Sequence, residues 1–396
     1  MTLVKGAGRL MRKGFWPVRV LRQKAVFHKA NRAGVNLGKR KIVVFESDDW
    51  GSIRVPSRQA YECLNRQGAA LDMEAFTAND GLESAQDVRA LLGVLKRQQD
   101  IKGRHPVLTM FYAMRNADFD RILREGYESF YDEPFTTTSV RYDGDDQMLQ
   151  EVLQGVREQL FCPQLHCQVH LNVRAWLRDL KAGREDTRLA FQHGMVGVGT
   201  NFDKNNRYGY MDALHNRSEE EIQTYKGCLE EAVYDFAKVF GYAPTAFVAP
   251  CYVWDPAVEP YLFQIGIRMI CGANDQLIPR KENYERFDRA VHPVGSINGH
   301  GMLYLNRNVD YELIYENPEL DQIAMRQIAA AFAQGKPAVI SIHRANFVSR
   351  ISGKREERLE RFSGFICRML QRWPDIEFMS SVELGGTITR ENERVG

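Results

Sequence analysis

The chain has 396 residues, of which 44% are hydrophobic and 26% are charged, and its formal net charge at pH 7 is +2. This balance is typical of a soluble globular protein with a sizeable buried core. No run of about twenty apolar residues occurs, so no membrane-spanning helix is expected. The seven cysteines are scattered without a CxxC pair, which argues against a disulfide framework.

The charge is unevenly distributed along the chain. The first 41 residues hold twelve Lys or Arg and no acidic residue, which leaves 41 basic and 51 acidic residues for the remainder. Residues 1–40 are therefore predicted to be a basic N-terminal extension, either packed against the body or lying on an anionic membrane surface. Basic residues interrupt its apolar stretches, so no secretory signal is expected. We predict a cytoplasmic protein with peripheral contact at the inner face of the membrane.

Short apolar segments rich in β-branched residues predict a series of buried strands from residue 41 onward. The first is Lys41–Glu46, and a polar segment containing Asp48 and Asp49 follows it directly. Further strands are predicted at Pro106–Tyr112, Gln164–Val169, Met195–Gly199, Ala246–Ala249, Ile267–Ile270, Met302–Leu305, Ala338–Ile342 and Ile376–Met379.

Between the strands lie segments whose apolar residues recur at three- and four-residue spacing, as in amphipathic helices. They are Asp87–Gln99, Asp145–Leu160, Val173–Ala182, Glu219–Phe240, Leu320–Gln334 and Glu356–Trp373. Strands that alternate with helices predict parallel βα units with right-handed crossovers. Such a series fits a (β/α) barrel, and the absence of an internal repeat or low-complexity linker predicts that residues 41–396 form one domain.

Polar side chains fall at the ends of several predicted strands, where the active residues of parallel barrels gather. These are Asp48 and Asp49, His166 and His170, Pro250 to Tyr252, and His343 with Arg344. The spacing of His166 and His170 predicts two imidazoles on the same side of one turn. With a carboxylate they would form a site that keeps positions open for water and substrate, as catalytic zinc sites do.

Each of these features also has a plain structural explanation. Adjacent aspartates often cap a helix or stabilise a turn, and a histidine at a strand end can bond to the backbone. Their shared position at strand ends favours hydrolytic chemistry, in which a carboxylate acts as general base and the late His343 as general acid.

These segments resemble the motifs of the polysaccharide deacetylase (NodB-homology) family, in the family's order, over most of residues 41–345. Glu46-Ser-Asp-Asp-Trp-Gly51 resembles the first motif, and the pair His166 and His170 resembles the second. Phe247-Val-Ala-Pro-Cys-Tyr252 is similar to the third, and Ile340-Ser-Ile-His343 is similar to the last.

The resemblance implies a distorted (β/α) barrel of the NodB / glycoside hydrolase-deacetylase type. It implies Asp48 as general base, His343 as general acid, and one divalent transition metal, expected to be zinc, on Asp49, His166 and His170. The residues expected to bind substrate are Trp50, Pro250, Cys251, Tyr252, Arg307 and Arg344.

The activity implied by the resemblance is removal of an N- or O-acyl group, expected to be acetyl, from a sugar of a cell-surface polysaccharide or its precursor. The chain resembles a divergent subgroup associated with cell-surface glycan assembly. Its expected partner is therefore a carbohydrate, in lipid- or nucleotide-linked form, and residues 1–40 are expected to contact the membrane.

The chain departs from the family pattern at several positions. Trp50 separates the aspartates from the glycine, and Val248 stands where the family has an arginine that steadies the base. Arg307 or Arg344 is expected to take over that role. The gap of 117 residues between Asp49 and His166 is also longer than usual, and it holds at least one extra strand.

Two other functions stay open. A carboxylate-pair glycoside hydrolase would draw on acids among Glu46, Asp48, Asp49, Asp212 and Asp275. Loss of the arginine at position 248 would fit a non-catalytic, carbohydrate-binding relative. Nucleic acid is not an expected partner, because the body has no basic motif interleaved with aromatic residues.

Overall fold

The computed structural model describes residues 29–395 apart from 70, 72–73, 198–209, 217, 274 and 282–285. Most of the predicted basic extension, residues 1–28, lies outside this set, and so does the end of the predicted Met195–Gly199 strand. Residues 195–197 are described and form no strand. Instead, Gly194 has a φ of 69° and the Met195 N–H bonds back to the Ala190 carbonyl, so this segment ends the preceding helix.

The central sheet is built around a long strand, and the strands are numbered β1 to β14 in chain order. Beside β1 (Lys41–Trp50) lie β2 (Leu108–Ala113), β5 (Phe161–Cys167), β6 (Ala246–Val248), β7 (Met269–Gly272), β11 (Leu303–Asn306) and β10 (Ser296–Ile297), in that order. On the other side lie β13 (Ala338–Ser341) and β12 (Val309–Asp310), and β14 (Ile376–Phe378) pairs with the start of β1. All of these pairings are parallel except β10 with β11.

The sheet curls into a half-barrel. Its chain path explains the curl, because β11 and β12 lie toward opposite ends of the sheet and yet are joined through Arg307 and Asn308. Such a link spans roughly 10 Å at most, so the two ends must approach each other. The predicted distorted (β/α) barrel is therefore confirmed, and Arg307 lies in the seam between its two ends.

Helices pack around the sheet, and we number them α1 to α12. They are α1 (Arg58–Arg66), α2 (Ala85–Leu95), α3 (Phe119–Arg124), α4 (Phe135–Asp143), α5 (Gln147–Arg157), α6 (Val173–Lys181), α7 (Glu185–Gln192), α8 (Glu219–Phe240), α9 (Glu259–Gln264), α10 (Leu320–Ala333), α11 (Arg355–Arg372) and α12 (Ser381–Val395). The six predicted helices correspond to α2, α5, α6, α8, α10 and α11. Among the described residues, no helix has the length and apolarity needed to cross a membrane.

Two small hairpins lie outside the central sheet. They are β3 (Arg115–Ala117) with β4 (Asp132–Pro134), and β8 (Asp275–Pro279) with β9 (Phe287–Val291). The first of them falls in the long interval between Asp49 and His166, where at least one extra strand was predicted.

Side chains of β1 alternate between two hydrophobic cores, as successive residues of a strand do. Val43 and Phe45 belong to the larger core, which includes the helices, while Ile42 and Val44 belong to a smaller core. Leu384 and Ile388 of α12 complete the smaller core, together with Val35 and Leu37 from the segment before β1. Part of the predicted extension, from residue 29 to residue 40, is thus packed on the body.

Candidate metal centre

A bulge near the end of β1 brings two adjacent aspartates to one site. By strand alternation, Asp48 follows Val44 on the face of the smaller core, and a regular strand would turn Asp49 to the opposite face. The pairing of β1 with β2 changes register between Ser47 and Trp50, and Asp49 has a φ of 73°. This irregularity is a β-bulge, and it redirects the Asp49 side chain.

Asp49, His166 and His170 converge at this bulge. The Oδ1 atom of Asp49 lies 3.5 Å from Nε2 of His166 and 3.2 Å from Nε2 of His170. All three side chains are buried, and their potential ligand atoms lie within 4.8 Å of one another. His166 belongs to β5 and His170 to the bend after it. The prediction that the two histidines share one turn is therefore wrong, because the strand extends to Cys167 between them.

The donor set fits a bound cation. Nδ1 of His166 donates to the Val248 carbonyl at 2.7 Å, so a neutral His166 side chain turns the lone pair of Nε2 toward Asp49. Burial lowers the pKa of His170, which favours the neutral form that binds metals. Lone pairs from two imidazoles and a carboxylate repel one another at these distances unless a cation or a proton lies between them. Two nitrogens and one oxygen suit zinc and several other divalent transition metals.

Asp48 is held by Arg307 from the seam of the sheet. Arg307 donates from Nη1 to Oδ2 of Asp48 at 2.6 Å and from Nη2 to Oδ1, while its Nε donates to Glu46 Oε2 at 2.7 Å. Burial alone would raise the pKa of Asp48, but the charge and hydrogen bonds of Arg307 hold it below its usual value. Asp48 is therefore ionised at neutral pH. Of the two arginines expected to replace one at position 248, Arg307 is the one that contacts this carboxylate.

His343 approaches Asp48 from the end of β13 and is paired with Glu312. Its Nδ1 lies 2.6 Å from Glu312 Oε1, and its Nε2 lies 3.6 Å from Asp48 Oδ2. Asn346 donates to the other oxygen of Glu312 at 2.7 Å. Burial alone would lower the pKa of His343, but Glu312 raises it to about 9. A protonated imidazole and an ionised carboxylate thus lie side by side.

The turn after β6 adds polar groups beside Asp48. Cys251 and Tyr252 have φ values of 54° and 58°, two consecutive left-handed residues. The Tyr252 hydroxyl accepts a hydrogen bond from Arg307 at 3.1 Å and lies 3.5 Å from Asp48 Oδ2. The Tyr252 N–H donates to the Ala249 carbonyl, and Pro250 is buried. The turn is therefore part of the surroundings of Asp48.

Four residues expected to bind substrate are buried, and they are Trp50, Pro250, Arg307 and Arg344. Trp50 is 1% exposed and donates from Nε1 to Ser47 Oγ at 2.9 Å. Arg344 is fully buried and bonds to two carboxylates, Asp80 and Glu83. Trp50 thus packs in the core and Arg344 pairs with buried carboxylates, while contact of either residue with substrate stays a prediction.

Sequence reasoning missed three residues of the site. Glu312 partners His343, Arg54 donates to Asp49 Oδ2 at 3.3 Å, and the Phe76 ring packs edge-on against His343 with centroids 4.9 Å apart. None belongs to a recognisable motif, and Glu312 lies 31 residues from its partner. The available signal for Glu312 was its place just after β12, beside the strand that carries His343.

No family model and no curated protein matches this sequence. Several solved structures are similar in fold. An allantoinase has 12% identity and a TM-score of 0.44, with 88% of this chain and 90% of that chain covered. A family 4 acetyl xylan esterase from Clostridium thermocellum, in complex with cobalt, has 11% identity and a TM-score of 0.34, covering 87% and 90%. A CE4 family pseudoenzyme from Bacillus anthracis has 10% identity and a TM-score of 0.38, covering 89% and 69%. Similarity at this level identifies neither the family of this chain nor its reaction.

Proposed function

We propose that this chain is a metal-dependent hydrolase that removes an acyl group, expected to be acetyl, from a carbohydrate. The observation that carries the proposal is the adjacency of three functional units. A potential metal site includes Asp49, the next residue in the chain is the ionised Asp48, and Nε2 of the protonated His343 lies 3.6 Å from Asp48 Oδ2. Metal-assisted hydrolysis of an amide or ester uses an activated water, a general base and a general acid.

Asp49, His166 and His170 would hold a divalent metal, which would supply a Lewis acid and lower the pKa of bound water. Asp48, next to Asp49 in the chain, accepts the proton of the attacking water. Arg307 keeps Asp48 ionised and fixes both of its oxygens, which is the role that an arginine at position 248 would otherwise serve.

His343 donates a proton to the departing amine or alcohol. Its pKa of about 9 keeps it protonated at neutral pH, and Glu312 holds Nδ1 so that Nε2 faces Asp48. A backbone N–H of the left-handed turn would stabilise the oxyanion. We assign that role to Cys251, because the Tyr252 N–H already bonds to the Ala249 carbonyl.

The proposal is tested by acetate release from a panel of acetylated substrates. The panel contains p-nitrophenyl acetate, chitooligosaccharides, acetylated xylan and UDP-N-acetylglucosamine. Asp48→Asn and His343→Asn should each lower kcat by about 100-fold or more, because each removes a proton-transfer group. Both variants keep the metal ligands, so their metal content should equal that of the wild type. Unchanged acetate release in both variants would contradict the proposed roles.

The proposed substrate is a sugar of a cell-surface polysaccharide or its lipid- or nucleotide-linked precursor, reached at the cytoplasmic face of the membrane. The proposed membrane contact is supported by positive charge, since residues 1–28 hold seven Lys or Arg and no acidic residue. Removing residues 1–28 should reduce sedimentation with phosphatidylserine vesicles while leaving residues 29–40 packed on the body. Equal sedimentation of both proteins would contradict the membrane role.

The glycoside hydrolase alternative is less well supported than the hydrolase proposal, because the carboxylates it would need are already engaged by other side chains. Glu46 and Asp48 are both buried and share one arginine, Arg307. Asp212 is hydrogen-bonded to His215, and Asp275 pairs with Arg289 in the β8–β9 hairpin. The non-catalytic alternative rested on the missing arginine at position 248, and Arg307 now supplies that contact. If the metal-loaded protein releases no acetate from any substrate of the panel, the non-catalytic alternative would be favoured again.

A further inference from the structure

Behind the metal site, a series of buried ion pairs connects the Asp49 side chain to the backbone of its own turn. Arg54 donates from Nη2 to Asp49 Oδ2 at 3.3 Å and from Nε to Asp80 Oδ2 at 3.2 Å. Arg344 donates to Asp80 Oδ1 from Nη2 at 2.9 Å and to Glu83 Oε2 from Nη1 at 2.7 Å. We call these four residues, Arg54, Asp80, Arg344 and Glu83, the buried ion-pair chain.

The other end of the buried ion-pair chain, at Arg344 and Glu83, bonds to the backbone of the bulge. Glu83 accepts the Gly51 N–H at 2.9 Å, and Arg344 also donates to the Ser52 carbonyl at 2.7 Å. Ser52 in turn donates from its hydroxyl to the Asp49 carbonyl at 2.8 Å. The backbone of residues 49–52 and the side chain of Asp49 are thus held by one connected set of bonds.

Most of the buried ion-pair chain is shielded from water. Asp80, Glu83 and Arg344 are fully buried, and the Arg54 side chain is 16% exposed. Bonds to charged groups in such surroundings are stronger than surface ion pairs, and breaking one leaves an unpaired buried charge. The conformation that they hold is itself unfavourable, because the left-handed region is disfavoured for a residue with a Cβ atom such as Asp49.

The two oxygens of Asp49 have different partners. Oδ2 accepts from Arg54, whereas Oδ1 faces His166 and His170. The carboxylate therefore presents a single oxygen toward the two imidazoles, and its rotation is opposed by Arg54.

We propose that Arg54 and Asp80 are positioning residues for the metal site, which fix Asp49 as a ligand through one oxygen before the metal binds. The inference rests on the proposed function, because it assumes that Asp49 is a ligand. Residues that orient metal ligands typically contribute about 10- to 100-fold to metal affinity.

A purely electrostatic role for Arg54 predicts the opposite sign. A positive charge beside the site repels a cation, so its removal should tighten metal binding. Arg54→Lys keeps the charge but loses the planar fork that reaches two carboxylates. Arg54→Met removes both. A positioning role predicts weaker metal binding in both variants. A purely electrostatic role predicts unchanged metal binding in Arg54→Lys and tighter metal binding in Arg54→Met.

The experiment measures zinc affinity of the full chain by competition with a chromophoric chelator. Wild type, Arg54→Lys, Arg54→Met and Asp80→Asn are compared with Arg58→Lys and Arg58→Met. Arg58 is a neighbouring arginine whose side chain is 68% exposed and pairs with Glu62 on α1. Arg54→Lys should bind zinc about 10-fold or more weakly than wild type, and the Arg58 variants should match wild type. Cobalt absorption should also change in Arg54→Met, because Asp49 can then offer both oxygens.

The unfolding midpoint of each metal-free variant separates a positioning effect from misfolding. If Arg54→Met does not fold, Arg54→Lys alone tests the proposal. Wild-type affinity in Arg54→Lys, or tighter binding in Arg54→Met, would overturn the positioning role while leaving the metal site intact. A wild-type protein that takes up no metal would overturn the proposed function and this inference together.

Discussion

Arg307 is a buried cation that connects three parts of the fold through its ion pairs. It is buried in the seam of the sheet and pairs with two buried carboxyl groups, those of Glu46 and Asp48. Ser381 donates to the second oxygen of Glu46, so the arrangement is also bonded to α12. A single buried cation thus connects the seam, the central strand and the last helix.

Removing this cation should destabilise the fold. Arg307→Leu leaves two buried carboxylates without their partner, and we expect the free energy of unfolding to fall by about 3–5 kcal/mol. Urea unfolding of the metal-free protein measures the loss. Arg58→Leu is the control, since it removes an exposed arginine and should change stability by about 0.5 kcal/mol or less. Similar losses in the two variants would contradict the central role of Arg307.

The pair of His343 and Glu312 should make stability depend on pH. The pKa of His343 is raised from 6.5 to about 9 in the folded protein. A raised histidine pKa contributes stability that is fully present below about pH 6.5 and is lost as pH rises through about 9.

Glu312→Gln removes the main cause of this shift. We expect the difference in unfolding free energy between wild type and this variant to be largest below about pH 6.5 and to shrink toward pH 9. Urea unfolding of the metal-free proteins across this range measures the difference. Glu360→Gln, at a carboxylate whose side chain is 76% exposed, is the control. A difference that does not vary with pH would show that Glu312 does not set the protonation of His343.

The residues that could be found from sequence are those at strand ends. Asp48, Asp49, His166 and His343 follow or end apolar strands, and parallel strands bring such positions together. Glu312 and Arg54 could not be found in this way. Their importance comes from side-chain bonds across the fold, and an isolated Glu or Arg in a loop carries no periodic signal.

At the level of elements, the bulge in β1 redirects the Asp49 side chain toward the two histidines of the candidate metal site. It depends on Gly51, which has a φ of 76°. A Cβ atom there would lie 2.5 Å from the Ala113 carbonyl oxygen, within the neighbouring strand β2. The bulge thus requires glycine both for its conformation and for the close approach of two backbones.

Two glycine substitutions separate these requirements. Gly68 also has a positive φ, 86°, but a Cβ there would meet no atom within 4 Å. Gly68→Ala should therefore cost about 1–2 kcal/mol of unfolding free energy from backbone strain alone. Gly51→Ala should cost more, because backbone must also move, and it should weaken zinc binding. Equal losses measured by urea unfolding would contradict the close packing at the bulge.

Elements with a clear hydrophobic period were predictable, and those held by tertiary contacts were not. Helix α8 was predicted with its observed bounds, since its apolar residues recur with a helical period over 22 residues. Helix α12 was missed, because Gly385 and Gly386 lower its helix propensity. Its formation instead reflects the burial of Leu384 and Ile388 in the smaller core.

At the level of the whole molecule, the alternation of strands and helices predicted a barrel but not its seam. Strand order depends on long-range pairing, and periodicity does not reveal which strands meet. The seam between β11 and β12 places Arg307 where its guanidinium donates to Asp48. The same topology takes the metal ligands from β1 and from β5 with its following bend, strands separated by β2.

Metal binding should therefore stabilise the entire fold. A ligand at 100 times its dissociation constant raises the unfolding free energy by about 2.7 kcal/mol when it binds only the folded state. Thermal unfolding with and without zinc should show an upward shift that a chelator reverses. Asp49→Asn should respond much less, because it loses the anionic ligand. Equal shifts in both proteins would indicate zinc binding elsewhere on the chain.

The most direct test of the metal centre is elemental analysis of purified, untagged protein beside an Asp49→Ala, His166→Ala variant. We predict about one equivalent of a divalent transition metal per wild-type chain and none in the variant. If neither protein holds metal, even after reconstitution with zinc, cobalt and manganese, the proposed hydrolytic site is contradicted.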